Sequence, residues 1–290
     1  MARAGDIWKK GTTGQTGQTS TGQFENWELP AELKFDWKRT RRELVRKISG
    51  HFIRSRAKRA VVGLSGGLDS SLAAFLVSEA IGSGNVLGVL MPDRGTTSRK
   101  DAEDALKLAN FIGIRTRTVE ISQAVRAVSS MVPEIKKKGG FPVPLANVKS
   151  RIRMVVLYAI ANSLGNARVI GTGDKSEFLL GYCTKYGDHG ADVFVNGRLY
   201  KTQARYLAMK LRLPEEIWMR KPSPGLIKGF DAESELGLDY GKLDLVLHYF
   251  EKGNDAGKIA EKLKLKERTV RNLVERVDKN RHKREFPQVL

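Results

Sequence analysis

Cysteine is almost missing from this chain: Cys183 is the only one among 290 residues. An internal disulfide framework and a cysteine-rich metal site are therefore excluded. Long apolar runs are missing too. The best, around Leu72–Val77 and Met154–Ala161, stop far short of the ~18–20 residues that a membrane span needs. Basic residues near the N-terminus are followed by no apolar core, so no secretory signal is expected. Acidic residues are in deficit, with 51 Lys and Arg against 32 Asp and Glu and a net charge of +19. Such a field attracts polyanions (nucleic acid, nucleotides, phosphorylated substrates, acidic lipid), and it serves equally well as a solubilising surface. The apolar fraction of 41% suits a globular protein. The expectation is a cytoplasmic enzyme or binding protein with one large domain or two small ones.

Residues Gly11–Gln23 are all Gly, Thr, Gln and Ser. Such a run cannot bury enough surface to offset its ordering entropy, so a flexible tail is expected over residues 1–26 and a folded unit over 27–290. From Asp36 to Lys58, apolar Trp37, Leu44, Val45, Ile48, Phe52 and Ile53 recur at helical spacing among basic residues. Strands and helices then alternate. Strands are predicted at Ala60–Leu64, Val86–Met91, Arg115–Ile121 and Arg168–Gly171, with helices at Asp69–Ile81, Arg99–Phe111 and Val148–Leu164. That alternation argues for an α/β fold, a Rossmann-like parallel sheet with helices on both faces. Helices at Asp239–Glu251, Ala256–Leu263 and Glu267–Val277 make the C-terminal portion, about 239–290, helical.

Two glycine-rich segments follow predicted strands, at the sheet edge where ligands bind in such folds. The first is Gly63-Leu64-Ser65-Gly66-Gly67-Leu68-Asp69-Ser70. Its glycines permit a sharp turn, amides at the following helix start suit an anion, and Ser65 and Ser70 add hydroxyl donors. Asp69 would repel phosphate unless it holds a Mg²⁺. A tight turn with Asp69 or Ser70 as a helix cap is the plainer alternative. The segment is neither a Walker A loop nor a dinucleotide fingerprint. It resembles the pyrophosphate loop of the N-type ATP pyrophosphatases, which cleave ATP to AMP and pyrophosphate while adenylating an acyl or similar oxygen.

The second constellation starts at Gly171-Thr172-Gly173-Asp174-Lys175-Ser176-Glu177. It continues through Thr184-Lys185-Tyr186-Gly187-Asp188, Asp192, Leu199-Tyr200-Lys201-Thr202 and Lys-Pro-Ser-Pro at 221–224. Singly, each piece is ordinary. Together with Lys-Ser-Arg-Ile-Arg-Met at 149–154 and His282-Lys283-Arg284, the series resembles the ammonia-dependent NAD synthetase family from about Val61 to the C-terminus. The resemblance implies a single domain of adenine-nucleotide α-hydrolase type. It implies ATP binding by Gly63–Ser70, Thr172, Lys201 and Ser223, and Mg²⁺ ligation by Asp69 and Glu177. It further implies that Arg151, Lys185, Asp192, His282 and Lys283 contact deamido-NAD (nicotinate adenine dinucleotide), and that the chain forms a homodimer. Helices near 36–58 and 148–164 are candidates for that interface. Asp174 stands where Asn is common in the family, Cys183 where an aromatic is common, His189 interrupts a usual Gly-Gly, and Val195–Arg198 replaces a Pro-containing segment.

The implied chemistry needs no side-chain nucleophile. A carboxylate is a poor electrophile until its oxygen attacks the ATP α-phosphate; ammonia then displaces AMP from the acyl adenylate. Alignment and charge stabilisation suffice. A glutaminase domain would need some hundreds more residues, and Cys183, with no evident His partner motif, reads as a small buried hydrophobe. Free ammonia, or ammonia from a separate protein, is the implied donor. Two alternatives stay open. The basic helix pair after Ala256 resembles a helix-turn-helix, and the same loop with the +19 field would serve a tRNA-modifying adenylating enzyme. Against the latter stand the lack of cysteines for sulfur transfer and of an obvious aromatic stacking cluster.

Overall fold

The chain alternates short strands with helices, and the strands are built to be covered. In the computed structural model, which describes residues 28–136, 143–221, 232–285, 287 and 289, five strands form one parallel sheet. They are β1 (Arg59–Gly63), β2 (Val86–Leu90), β3 (Arg115–Thr118), β4 (Ala167–Gly171) and β5 (Val193–Phe194). Their order is β3-β2-β1-β4-β5. Val61 sits opposite Leu87 on one side and Val169 on the other. The connections leave β1 in one direction and β4 in the other, so a topological switch point lies between them. The expected tail at 1–26 and Ser223 lie outside the described residues.

The helices are α1 (Trp37–Arg54), α2 (Leu68–Ile81), α3 (Arg99–Ile112), α4 (Ser122–Met131), α5 (Val143–Leu164) and α6 (Lys175–Leu180). They continue with α7 (Lys201–Lys210), α8 (Glu215–Trp218), α9 (Ala232–Leu236), α10 (Tyr240–Glu251), α11 (Ala256–Leu263) and α12 (Glu267–Lys279). Strand periodicity of two sends Ala60 and Val62 to one face and Val61 to the other. The first face packs on α1, α2, α3, α7 and α8; the second packs on α4 and α5. A separate apolar cluster joins Leu180 of α6 to Leu243, Leu247, Ile259, Val270 and Val277 of the C-terminal helices. Aspartates at 36, 239 and 255 accept from the amide three residues on and start α1, α10 and α11.

Several elements depart from the expected bounds. Helix α5 begins at Val143 rather than Val148, since Pro144 in its first turn loses no intrahelical bond. Strand β3 stops at Thr118 and is exposed along its whole length. It is an edge strand, and its two arginines blunt it against pairing with another chain. Helices α4, α6, α7 and α8 and strand β5 were not expected, because each is short and α6 and α7 begin inside the motif segments.

Candidate active site

Both glycine-rich segments leave the carboxyl ends of β1 and β4, on either side of the switch point, where α/β sheets bind ligands. Leu64 prolongs the ladder by donating its amide to Val89 O (2.9 Å). The chain then turns at Gly66, whose φ of +75° suits glycine; a Cβ there would lie 2.4 Å from Asp101 O. Hydroxyls hold the turn from inside. Ser65 N donates to Ser70 Oγ (3.2 Å), Gly67 N donates to Ser65 Oγ (3.2 Å), and the two hydroxyls lie 3.0 Å apart. The turn opens into α2, with Asp69 in its first turn.

After β4, Asp174 caps α6 through a reciprocal pair. Its Oδ1 accepts from Glu177 N (2.9 Å), while Glu177 Oε2 accepts from Asp174 N (3.3 Å). Buried Asn196 ties the two loops together by donating Nδ2 to Asp69 O (2.9 Å) and to Thr172 O (3.0 Å). Lys201, at the start of α7, completes the centre. Its Nζ lies 2.7 Å from Asp174 Oδ2 and 2.8 Å from both Asp69 Oδ2 and Glu177 Oε1.

Three carboxylates around one ammonium make an electrostatic unit. Burial alone would lower the Lys201 ammonium, yet the surrounding carboxylates raise it well above the ordinary lysine value. Burial drives Asp174 well above the usual carboxylate range against the pull of Lys201. Burial likewise pushes Glu177 up to about 7, opposed by Lys201 and reinforced by the like charge of Asp69. One ammonium cannot neutralise three ionised carboxylates in a poorly solvated place. Asp69 Oδ1 is buried without a hydrogen-bond partner, and ligand atoms of Asp69, Asp174 and Glu177 lie within 4.8 Å of one another. Hard oxygen donors so disposed fit a small divalent cation such as Mg²⁺.

A cleft of about 780 Å³ opens over this unit. Of the expected ATP-site residues, Gly63, Leu64, Ser65, Asp69, Ser70, Thr172 and Lys201 line it, with Glu177 beside them. Gly66, Gly67 and Leu68 shape the turn but are not in its wall. Arg151, Lys185, His282 and Lys283 line it as well, although they are far apart in sequence. Lys283 donates to Gly181 O (2.7 Å) and Cys183 O (3.0 Å), fixing the loop that bears Lys185. Asp192 does not line this cleft. Its carboxylate accepts from Val169 N (2.7 Å) and from Tyr158 OH (3.3 Å), so it secures the edge of β4.

A sequence model of the NAD synthase family matches residues 41–287. The chain belongs to this family. It is 39% identical over 254 residues to an NH3-dependent NAD⁺ synthetase of Methanosarcina acetivorans, covering 88% of this chain and 98% of that protein. Among solved structures, an NMN synthetase from Francisella tularensis superposes with a TM-score of 0.76 at 28% identity, covering 89% of this chain and 99% of that one. An NH3-dependent NAD synthetase from Campylobacter jejuni in complex with nitrate superposes with a TM-score of 0.73 at 30% identity, covering 89% of this chain and all of the other.

Within this NAD synthase fold, four features escape a reading of the sequence. Asp174 joins the carboxylate cluster, and its cap pattern, Asp followed three residues later by Glu, was the available signal. Asn196 links the loops and left no local signal at all. Lys149 and Asp93 form a buried ion pair (2.7 Å) next to the cleft. Cys183, which lacks a recognisable motif, has a partner after all: its Sγ lies 3.1 Å from His189 Nδ1. Burial pushes the thiol up to about 12, so this contact does not make a thiolate nucleophile. His189 in turn stacks on Phe178 (4.4 Å), which accounts for its place in a glycine-rich loop.

Proposed function

We propose that this chain is an ammonia-dependent NAD synthetase that adenylates the nicotinate carboxylate of deamido-NAD with ATP and converts the acyl adenylate to NAD. The observation that carries this reading is the meeting of the Ser65–Ser70 turn and the Asp69–Asp174–Glu177–Lys201 unit at the sheet's switch point. A carboxylate oxygen attacks the α-phosphorus and pyrophosphate departs; ammonia then attacks the activated carbonyl, loses a proton, and AMP leaves. The Ser65–Ser70 turn, with its hydroxyls and helix-start amides, would bind the phosphates. Asp69 and Glu177 would hold Mg²⁺, with Asp174 behind them. That ion, when bound, neutralises phosphate charge. Lys201 prevents the three carboxylates from repelling one another before the cation arrives. Arg151, Lys185, His282 and Lys283 would supply a cationic wall for the second, anionic substrate, so the protein works by alignment and charge rather than by a nucleophile.

A homodimer belongs to the same reading. Among the described residues, Ile53 (76% exposed) on α1 and Val155 (58% exposed) on α5 present apolar side chains on the two helices named as interface candidates, and a second copy would cover them. We also place the protein in the cytoplasm, where ATP is made and its single free thiol stays reduced. Among the described residues, no helix is long and apolar enough to cross a membrane.

The decisive experiment supplies deamido-NAD, ATP, Mg²⁺ and ammonium and follows NAD and AMP, with nicotinate mononucleotide run in parallel. NAD and AMP should appear in equal amounts, with the dinucleotide preferred. Asp69→Ala and Glu177→Ala should abolish turnover and leave the fold intact. Near-normal rates in either variant would remove it from the metal site. Failure to turn over deamido-NAD, with tRNA binding that falls steeply with salt, would favour a tRNA-modifying enzyme instead.

A further inference from the structure

Asp244 lies on α10, in the C-terminal helical portion, and is fully buried. No motif marks it. Its Oδ1 accepts from Ser176 Oγ (2.5 Å), and its Oδ2 accepts from Thr202 N (2.8 Å) and Thr202 Oγ1 (2.7 Å). Ser176 Oγ in turn accepts from Lys201 N (3.0 Å). One carboxylate thus joins the first turns of α6 and α7, and the residues it holds are the immediate neighbours of Glu177 and Lys201. These two side chains come from different helices, yet Glu177 Oε1 meets Lys201 Nζ at 2.8 Å.

A buried carboxylate is a costly way to join two helices. Among the described residues it makes no ion pair, and burial pushes it up to about 6. Replacing such a group and its partners with apolar side chains of the same shape is often neutral or stabilising. What apolar packing cannot do is bind two hydroxyls and a helix-start amide at fixed distances. A negative charge at the start of α7 is also favoured by that helix's dipole. The same α10 packs Leu243 and Leu247 into the C-terminal core. Its carboxylate therefore connects that core to the cation end of the cleft.

The geometry points to Asp244 as a positioning residue that sets the register of α6 against α7, and thereby the spacing of Glu177 and Lys201 around the cation. This inference rests on the proposed synthetase reading. It predicts that Asp244→Asn keeps one acceptor but turns an amide N–H₂ toward a donor, loosening one of the two arms. The concentration of Mg²⁺ giving half-maximal rate, and the KM for ATP, should then rise about 10–100-fold, as for other residues that orient ligands from behind. The KM for deamido-NAD should stay within about twofold, since the hydrogen bonds that hold its proposed wall run to Gly181 O, Cys183 O and Lys185 O rather than to Asp244, Ser176 or Thr202.

The test begins with the wild type. If it converts deamido-NAD to NAD, the synthetase reading stands whatever the variants do. Mn²⁺ affinity, read by electron paramagnetic resonance without substrates, then reports the cation site apart from turnover. Ser176→Ala serves as the second variant, because it removes the Oδ1 arm while leaving the buried charge and Thr202 in place. Weakened Mn²⁺ binding and raised KM for ATP in either folded variant, with deamido-NAD unaffected, support the inference. Unchanged Mn²⁺ affinity in folded Ser176→Ala, or KM values for both substrates rising together, would overturn it.

Discussion

Lys201 on α7 reaches Asp69 on α2 across the switch point of the sheet, with Nζ 2.8 Å from Oδ2 although the two are 132 positions apart in the chain. This contact closes the two glycine-rich loops into one site. It also places the ammonium where a divalent cation would otherwise be the only counter-charge to three carboxylates.

Lys201→Met should therefore destabilise the cation-free protein by about 3–5 kcal/mol, the usual consequence of stripping one partner from a buried ion pair. Excess Mg²⁺ should recover part of that loss, because the metal replaces the missing charge. Thermal melts with Mg²⁺ and with chelator test this. A melting temperature equally depressed in both would mean that the carboxylates do not bind the cation.

Gly66→Ala tests the turn. The added Cβ meets Asp101 O at 2.4 Å in a left-handed backbone conformation, a strain of about 1–3 kcal/mol. Turnover and ATP affinity should fall sharply while α2 and the sheet persist in circular dichroism. Undiminished ATP binding would show that the turn does not hold the phosphates.

Asn196→Ala removes the donor shared by Asp69 O and Thr172 O. Two buried carbonyls lose a partner, with a stability loss of about 1–3 kcal/mol. Freed from each other, the loops should misalign, and a shift of about 1 Å can lower turnover by ~10²-fold. Steady-state rates in the folded variant check this; a loss of stability with kcat untouched would leave Asn196 a purely structural tie.

One part of the pH dependence of stability follows from Asp244, whose carboxyl rises from 3.8 to about 6 on burial. A raised carboxyl binds its proton more tightly in the folded state, so its stabilising effect is complete below about 4 and is lost as pH rises through about 6. Relative to Asp244→Asn, the wild type should lose ~3 kcal/mol across that window and change little above it. Urea titrations of both proteins from pH 4 to 7 measure the difference. A difference independent of pH would mean that Asp244 titrates as in the unfolded chain.

Alternation of β-branched strands with amphipathic helices was enough to read the parallel sheet and most helix bounds, because burial on one or two faces writes a period into the residues themselves. The helix Ala256–Leu263 coincides with its expected span. The turn at Gly63–Ser70 was equally legible, since glycine and hydroxyl residues between a strand and a helix have few other uses. Local sequence therefore determined the class of fold and the two loops. Tertiary structure alone decided which charges meet. Asp69, Asp174, Glu177, Lys201 and Asp244 come from four helices and one cap, and the distances among them follow from how the sheet's twist and the helix packing bring those ends together. Asn196 makes the same point, since it ties Asp69 to Thr172 with no motif to mark it. Hydrogen bonds across a fold depend on positions in space, and those carry no periodic mark in the chain.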